Sequence, residues 1–219
     1  MPSAEHPLCL LVEGQSDLFA IAHLIEERFK RQLVSVDADK DGSDKVYIDP
    51  RNGAEGLLKK GVISRAVKSC RRLGIVIDAN GSPTDRWRAV ADRLNAENVV
   101  LPPAPAPDGT IVAGIRDGWK VGVWLMPNNV KPGAIEDFLV PLVPPGDILW
   151  PLAKASTAMA ETADRRYGPT DGLKALLGCW LAWQENPEAG VGPALSTGVL
   201  NPLHVSADPF VRWWDELFS

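Results

Sequence analysis

Apolar positions in this chain fall into two patterns, short solid runs and stripes at helical spacing, and their alternation predicts an α/β protein. The run Leu8-Cys9-Leu10-Leu11-Val12 has no polar member, as expected of a parallel strand buried on both faces. It ends at Glu13-Gly14, after which residues 17–32 predict a helix with Leu18, Ile21, Ala22, Ile25 and Phe29 on one stripe. Glu26, Glu27, Arg28 and Lys30 turn outward, Ser16 or Asp17 caps the start, and His23 falls off the stripe as an ordinary surface residue. Gly74-Ile75-Val76-Ile77 is a second solid run, closed by Asp78-Ala79-Asn80-Gly81. A helix over 84–95 follows, burying Trp87, Val90, Ala91 and Leu94, with Asp85 as its cap or as an outer group of a site.

Shorter signals fill the gaps. Residues 33–36 and 45–48 predict short strands around Asp37-Ala38-Asp39-Lys40-Asp41-Gly42, which lacks the closing glutamate of a calcium loop and reads as a solvated turn. Residues 54–72 predict a helix weakened by Gly56 and Gly61. Its Arg65, Lys68 and Arg72 stand at i, i+3 and i+7, with Lys59, Lys60 and Arg71 nearby, a face suited to phosphates and equally to plain solvation. Four prolines make 101–108 an extended loop, and Asp117-Gly118 between 110–116 and 119–126 predicts a hairpin that adds an antiparallel edge to the sheet. Beyond Pro141 the pattern turns to helices, over 149–166, 170–184 and 208–218. Trp180, Trp183, Trp213 and Trp214 are read there as packing anchors, and Lys174 is a lone cation on an apolar helix that could reach a phosphate. The expected organisation is an α/β domain over 1–145 and a helical C-terminal extension over 146–219 packed on it.

The ends of the apolar runs carry the chemistry. Glu13 stands where the first strand meets its turn, with Asp17 four residues on; Asp78 and Asn80 close the second; Met126-Pro127 leads through Pro132-Gly133 to Glu136 and Asp137 at the start of a helix. Parallel strands present their carboxyl ends on one edge, so three such ends gather oxygen ligands in one crevice. Hard oxygens without His or Cys suit Mg²⁺ or Mn²⁺. Taken singly, each acid is also what a helix start or a strand-end loop carries for capping and solvation.

Val12-Glu13-Gly14 with Asp17, Ile77-Asp78-Ala79-Asn80 and Gly133-Ala134-Ile135-Glu136-Asp137, in this order, resemble a Toprim domain, closest to the OLD-type nuclease branch. The resemblance covers residues 8–140. The whole chain, with its tail of Lys174-Ala175-Leu176-Leu177 and Trp180-Leu181-Ala182-Trp183-Gln184, also resembles a small functionally unassigned Toprim-like family. The resemblance implies a divalent-metal-dependent nuclease acting on DNA or RNA, of a kind that serves in defence against phage or plasmids. It makes Glu13 a metal ligand and proton acceptor, Asp78 the central ligand, and Asp17, Glu136 and Asp137 further ligands. Arg65, Lys68, Arg72 and Lys174 are the expected contacts to nucleic acid. Asn80 departs from the pattern, since Toprim enzymes carry a second aspartate there; an amide offers an oxygen without charge, so the metal is held more weakly. That departure sustains the competing expectation, a non-catalytic binding or regulatory module.

Composition narrows these expectations. A chain of 219 residues with 45% hydrophobic and 23% charged residues is an ordinary globule. A net charge of −5 gives no overall pull toward nucleic acid, so a local basic patch is required. Cys9, Cys70 and Cys179 are odd in number and far apart in sequence, which argues against a disulfide framework and for a reducing, cytoplasmic setting. No run is long and apolar enough for a membrane span. The Gly-x-x-x-x-Gly-Lys-Ser/Thr, Gly-x-Ser-x-Gly and His-Glu-x-x-His motifs are missing. Any ATPase of the OLD kind would therefore come from a separate partner.

Overall fold

Leu8–Val12 (β1) runs near the centre of a six-stranded sheet, the position its unbroken apolar sequence demands. The structure is a computed structural model and describes residues 7–36 and 44–219. The turn expected at residues 37–42 lies outside the described residues. After β1 come α1 (Gln15–Phe29), β2 (Val34–Ser35), β3 (Val46–Pro50), α2 (Gly53–Leu57), α3 (Val62–Ser69), β4 (Arg72–Asp78) and α4 (Pro83–Asn95). The hairpin of β5 (Thr110–Ala113) and β6 (Lys120–Met126) follows, then α5 (Ile135–Leu139), α6 (Leu149–Asp164), α7 (Gly172–Leu181), α8 (Val191–Ser196) and α9 (Asp208–Phe218).

The strand order is β2-β3-β1-β4-β6-β5, with every neighbouring pair parallel except β5 and β6. From β1 the chain moves to one side through β2 and β3, then crosses to the other side for β4, β6 and β5. The gap between the carboxyl ends of β1 and β4 is thus a topological switch point, where open α/β sheets hold their ligands.

Alternation along the strands splits the core in two. Leu8, Leu10 and Val12 face α1, α5 and the C-terminal helices, while Cys9 and Leu11 face α2, α3 and α4. Cys9 and Cys70, remote in sequence, therefore meet on the second face and line one cavity. On the first face Gly74 and Gly122 stand opposite each other on β4 and β6. A Cβ on Gly122 would lie 2.5 Å from Leu217 Cδ2, so the two glycines let α9 settle directly on the sheet. Arg28 of α1 pairs with Asp208 at the start of α9, fastening the last helix to the first.

The helices after residue 146 thus complete the core of one sheet face, with Trp180, Trp213 and Trp214 buried and Trp183 41% exposed. Asp147 organises their start: its Oδ1 accepts from the N–H groups of Leu149 and Trp150 and from Trp180 Nε1 at 3.0 Å. His23 is no surface bystander, for it packs against Gly192 of α8. One helix was expected over 54–72, and the structure divides it. Gly61 takes φ +88° between α2 and α3, Cys70 is extended, and Arg72 already belongs to β4.

Candidate functional site

Because β1, β4 and β6 are adjacent and parallel, their carboxyl ends open side by side. Two of them are built alike. At the end of β1, Gly14 is extended and starts α1, and Asp17 folds back so that its Oδ2 accepts the Gly14 N–H at 3.1 Å. Beyond β6, Ala134 is extended and starts α5, and Asp137 Oδ2 accepts the Ala134 N–H at 2.8 Å. Each aspartate ties one oxygen to its own helix start. Beyond β4, Asn80 adopts φ +50°, a conformation asparagine tolerates well, and exchanges two backbone hydrogen bonds with Gly133 at 2.7 and 2.8 Å. That bridge holds the β4 and β6 ends together. Ser82 rather than Asp85 caps α4, its Oγ accepting the Asp85 N–H; Asp85 itself is exposed and paired with Arg88.

Glu13, Asp17, Asp78, Asn80, Glu136 and Asp137 all line one cavity of about 780 Å³ at this edge. The Asp78 N–H donates to Glu13 Oε1 at 2.9 Å, so the first two acids are in register. Burial pushes the Asp78 carboxyl up to about 8, with the charges of Glu13, Asp17 and Glu136 adding to it and the Ile135 N–H opposing it. Burial likewise raises Asp17 to about 7, helped by Glu13. Glu13 is raised by burial as well, though the Asp78 N–H and the nearby Arg86 guanidinium pull it back. The cluster resists carrying all its negative charge at neutral pH without a cation beside it.

Asp17 is 7% exposed, and its Oδ1 is buried without a hydrogen-bond partner; Asp78 Oδ1 is in the same condition. Two orphaned carboxylate oxygens in one crevice are costly unless something positive meets them. The donor set is all oxygen, which fits Mg²⁺ or Mn²⁺. Among the described residues no three His, Cys, Asp or Glu side chains enclose an ion directly. Protein oxygens would supply part of a coordination shell and water the rest, the habit of Mg²⁺.

The opposite wall comes from α6 and α7. Lys174, flagged by its isolation on an apolar helix, lines the cavity and is exposed toward it, joined by Lys154, Thr157, Glu161 and Asp171. Sequence reading missed Lys154, because α6 is exposed on nearly every side and its pattern marks no inner face. Arg86, whose charge reaches Glu13 and whose Nε is buried without a partner, was also missed; its position in the first turn of α4, just past the acidic loop, was the available signal.

The other expected cations are elsewhere. Arg65 and Lys68 do lie three apart on α3, but Arg72 is parted from them because α3 ends at Ser69, and none of the three lines the carboxylate cavity. Lys68 is held by Glu97 at 2.7 Å. Arg72 opens the seven-residue β4 and bonds the Gly118 carbonyl, roughly 20 Å from Asp78 at the far end of the strand.

Among the described residues no helix is long and apolar enough to cross a membrane. The chain belongs to the DUF3226 family, described as a protein of unknown function, whose model matches residues 7–219. No curated protein and no solved structure matches it.

Proposed function

We propose that this member of the DUF3226 family is a divalent-metal-dependent nuclease, with a Toprim-like centre formed by Glu13, Asp17, Asp78 and Glu136. The observation that carries this reading is the pair of buried, unpartnered oxygens on Asp17 and Asp78 within a cluster of mutually repelling acids, at the switch point of the sheet. The order of Glu13, Asp78 with Asn80, and Glu136 with Asp137 along the chain supports the Toprim resemblance.

Bound there, Mg²⁺ or Mn²⁺ would neutralise charge on a phosphate and make a water more acidic. The chain's own groups do the remainder. Glu13, held by the Asp78 N–H, accepts the proton of the attacking water, the role the resemblance gives it. Asp78 and Asp17, each with one buried oxygen unpartnered, would hold the cation, while Asp137 keeps the α5 start rigid through its bond to Ala134. Lys154 and Lys174 face the acids across the cavity and bind the non-bridging phosphate oxygens, fixing the diester for in-line attack. No nucleotide-binding phosphate loop occurs within these residues.

A second reading rests on Asn80. With an amide in place of the second aspartate the centre loses one negative ligand, which favours a binding or regulatory module that holds nucleic acid without cutting it. Incubation of wild type and Asp78→Ala with single- and double-stranded DNA and RNA across a Mg²⁺ and Mn²⁺ series separates the two. Metal-dependent cleavage lost in the variant supports the nuclease. Cleavage undiminished in Asp78→Ala would overturn it.

A further inference from the structure

We propose that a second cavity adjoining the carboxylate centre, walled by Arg51, Lys59, Lys60 and Arg65, is a phosphate subsite that holds the backbone of a nucleic-acid strand beyond the reacting bond. This rests on the nuclease reading and adds to it an oligomeric substrate, one that reaches past the reacting bond.

The two cavities meet at one short stretch of chain. β3 lies beside β1, and where β3 ends the Arg51 N–H donates to the Val12 carbonyl and the Gly53 N–H to the Glu13 carbonyl, both at 2.9 Å. Residues 51–53 are thereby laid along the backbone that presents Glu13. Gly53 lines the carboxylate cavity, whereas Asn52 lines the next one. A strand leaving the centre in this direction enters the second cavity at once.

Charge distinguishes that cavity. Its volume is about 580 Å³, and four cations and no carboxylate line it. Arg51 pairs through one nitrogen with Asp49, yet its Nε is buried with no partner. Lys59, Lys60 and Arg65 are exposed and, among the described residues, have no ion-pair partner. Arg65 folds back over Gly61, its guanidinium 3.5 Å from where a Cβ would stand, which keeps it at the start of α3. Val62, the first residue of that eight-residue helix, lines the same cavity, so the positive end of the helix adds to the field.

Three exposed cations without ion-pair partners, beside an Arg51 whose Nε stays unmet, repel one another, and none of them lines the acidic centre next door. A polyanion resolves the repulsion. The order of cationic cavity, acidic centre and a far wall that carries Lys154 and Lys174 beside Glu161 and Asp171 suits a strand whose reacting phosphate lies at the centre and whose backbone continues into the cationic cavity.

The test uses a fluorescently labelled single-stranded oligonucleotide long enough to span both cavities, titrated in EDTA by anisotropy across a salt series. The double variant Lys59→Glu, Lys60→Glu is compared with Arg31→Glu, Arg116→Glu, which changes net charge equally on exposed residues at the amino edge of the sheet, the far end from both cavities. The first should bind about tenfold or more weakly than wild type and flatten the dependence of log affinity on log salt by about 1.4, the second far less. Equal losses in both, or none in either, would overturn the subsite. Since EDTA removes the metal chemistry, this measurement fails separately from the nuclease reading: cleavage can be missing while the binding difference stands, and the reverse.

Discussion

Glu13 Oε1 accepts the main-chain N–H of Asp78 at 2.9 Å, so a side chain from the end of one strand is fastened to the backbone of its parallel neighbour. The bond that fixes Glu13 also keeps its charge beside the Asp78 carboxyl. Geometry is gained at the expense of ionisation, and a cation is the partner that reconciles the two.

Stability of the metal-free protein should therefore fall as the solution turns alkaline. Unfolded, Asp78 and Asp17 titrate near 3.8; folded, they are pushed up to about 8 and about 7. The folded chain holds more protons between those limits, so this contribution is complete below about pH 4 and is lost as pH rises through 7 to 8. Asp78→Asn removes the titration. In EDTA at pH 8.5 it should raise the melting temperature by about 2–6 °C, a relief of ~1–2 kcal/mol, and make the pH profile shallower. A melting temperature for Asp78→Asn below wild type at that pH would refute the repulsion.

Glu13→Gln separates charge from hydrogen bond, since the amide oxygen still accepts the Asp78 N–H. The Asp78 titration midpoint should drop from about 8, measured by carboxyl ¹³C NMR in the absence of metal, while the fold is unchanged. An unmoved midpoint would mean that the Glu13 charge has no part in raising it. Glu13→Ala in contrast leaves the Asp78 N–H without an acceptor and should cost ~1–3 kcal/mol in denaturant unfolding, offset in part by the lost charge.

On the first sheet face, Gly122→Ala brings a Cβ to 2.5 Å from Leu217 Cδ2 and 3.0 Å from Trp213 Cζ2. Destabilisation by ~1–3 kcal/mol is expected in urea unfolding. Leu217→Ala opens the same space, so the double variant should be less destabilised than the sum of the singles. Strict additivity would show that α9 does not rest on Gly122.

What the sequence disclosed depended on how local the cause was. The runs ending in Glu13 and Asp78 are parallel strands buried on both faces, and that alone put their ends on one edge; Asp117-Gly118 marked the hairpin for a similar reason. The single helix expected over 54–72 failed because Gly61 uses its left-handed freedom and β4 claims Arg72 for the sheet, a tertiary preference that outweighs the charge periodicity. Lys154 was unreadable: α6 owes its place over the acids to Asp147, whose one oxygen holds both the helix start and Trp180 of α7. No spacing rule records a contact 33 residues apart. Asn80 was noticed as a departure, but its left-handed backbone and its bridge to Gly133 were visible only in three dimensions.

Asn80→Asp is the variant on which the nuclease and binding-module readings part. The backbone there is held at φ +50° by the two bonds to Gly133, and aspartate accepts this region, so the fold should tolerate the change. A further acid then joins Glu13, Asp17, Asp78 and Glu136 around the cavity, raising their repulsion, and the metal-free melting temperature should fall slightly. With Mg²⁺ the order reverses, because the added charge strengthens the hold on a cation: the Mg²⁺-induced rise in melting temperature should exceed that of wild type by several degrees and saturate at lower Mg²⁺. If the centre cuts nucleic acid, cleavage at low Mg²⁺ should increase in Asn80→Asp and vanish in Asp78→Ala. If Asn80→Asp gains the thermal shift and neither it nor wild type cleaves any DNA or RNA, the chain is a binding module with a weakened centre. An identical Mg²⁺ response in wild type and Asn80→Asp would remove position 80 from the site altogether, leaving the orphaned oxygens of Asp17 and Asp78 to be explained without it.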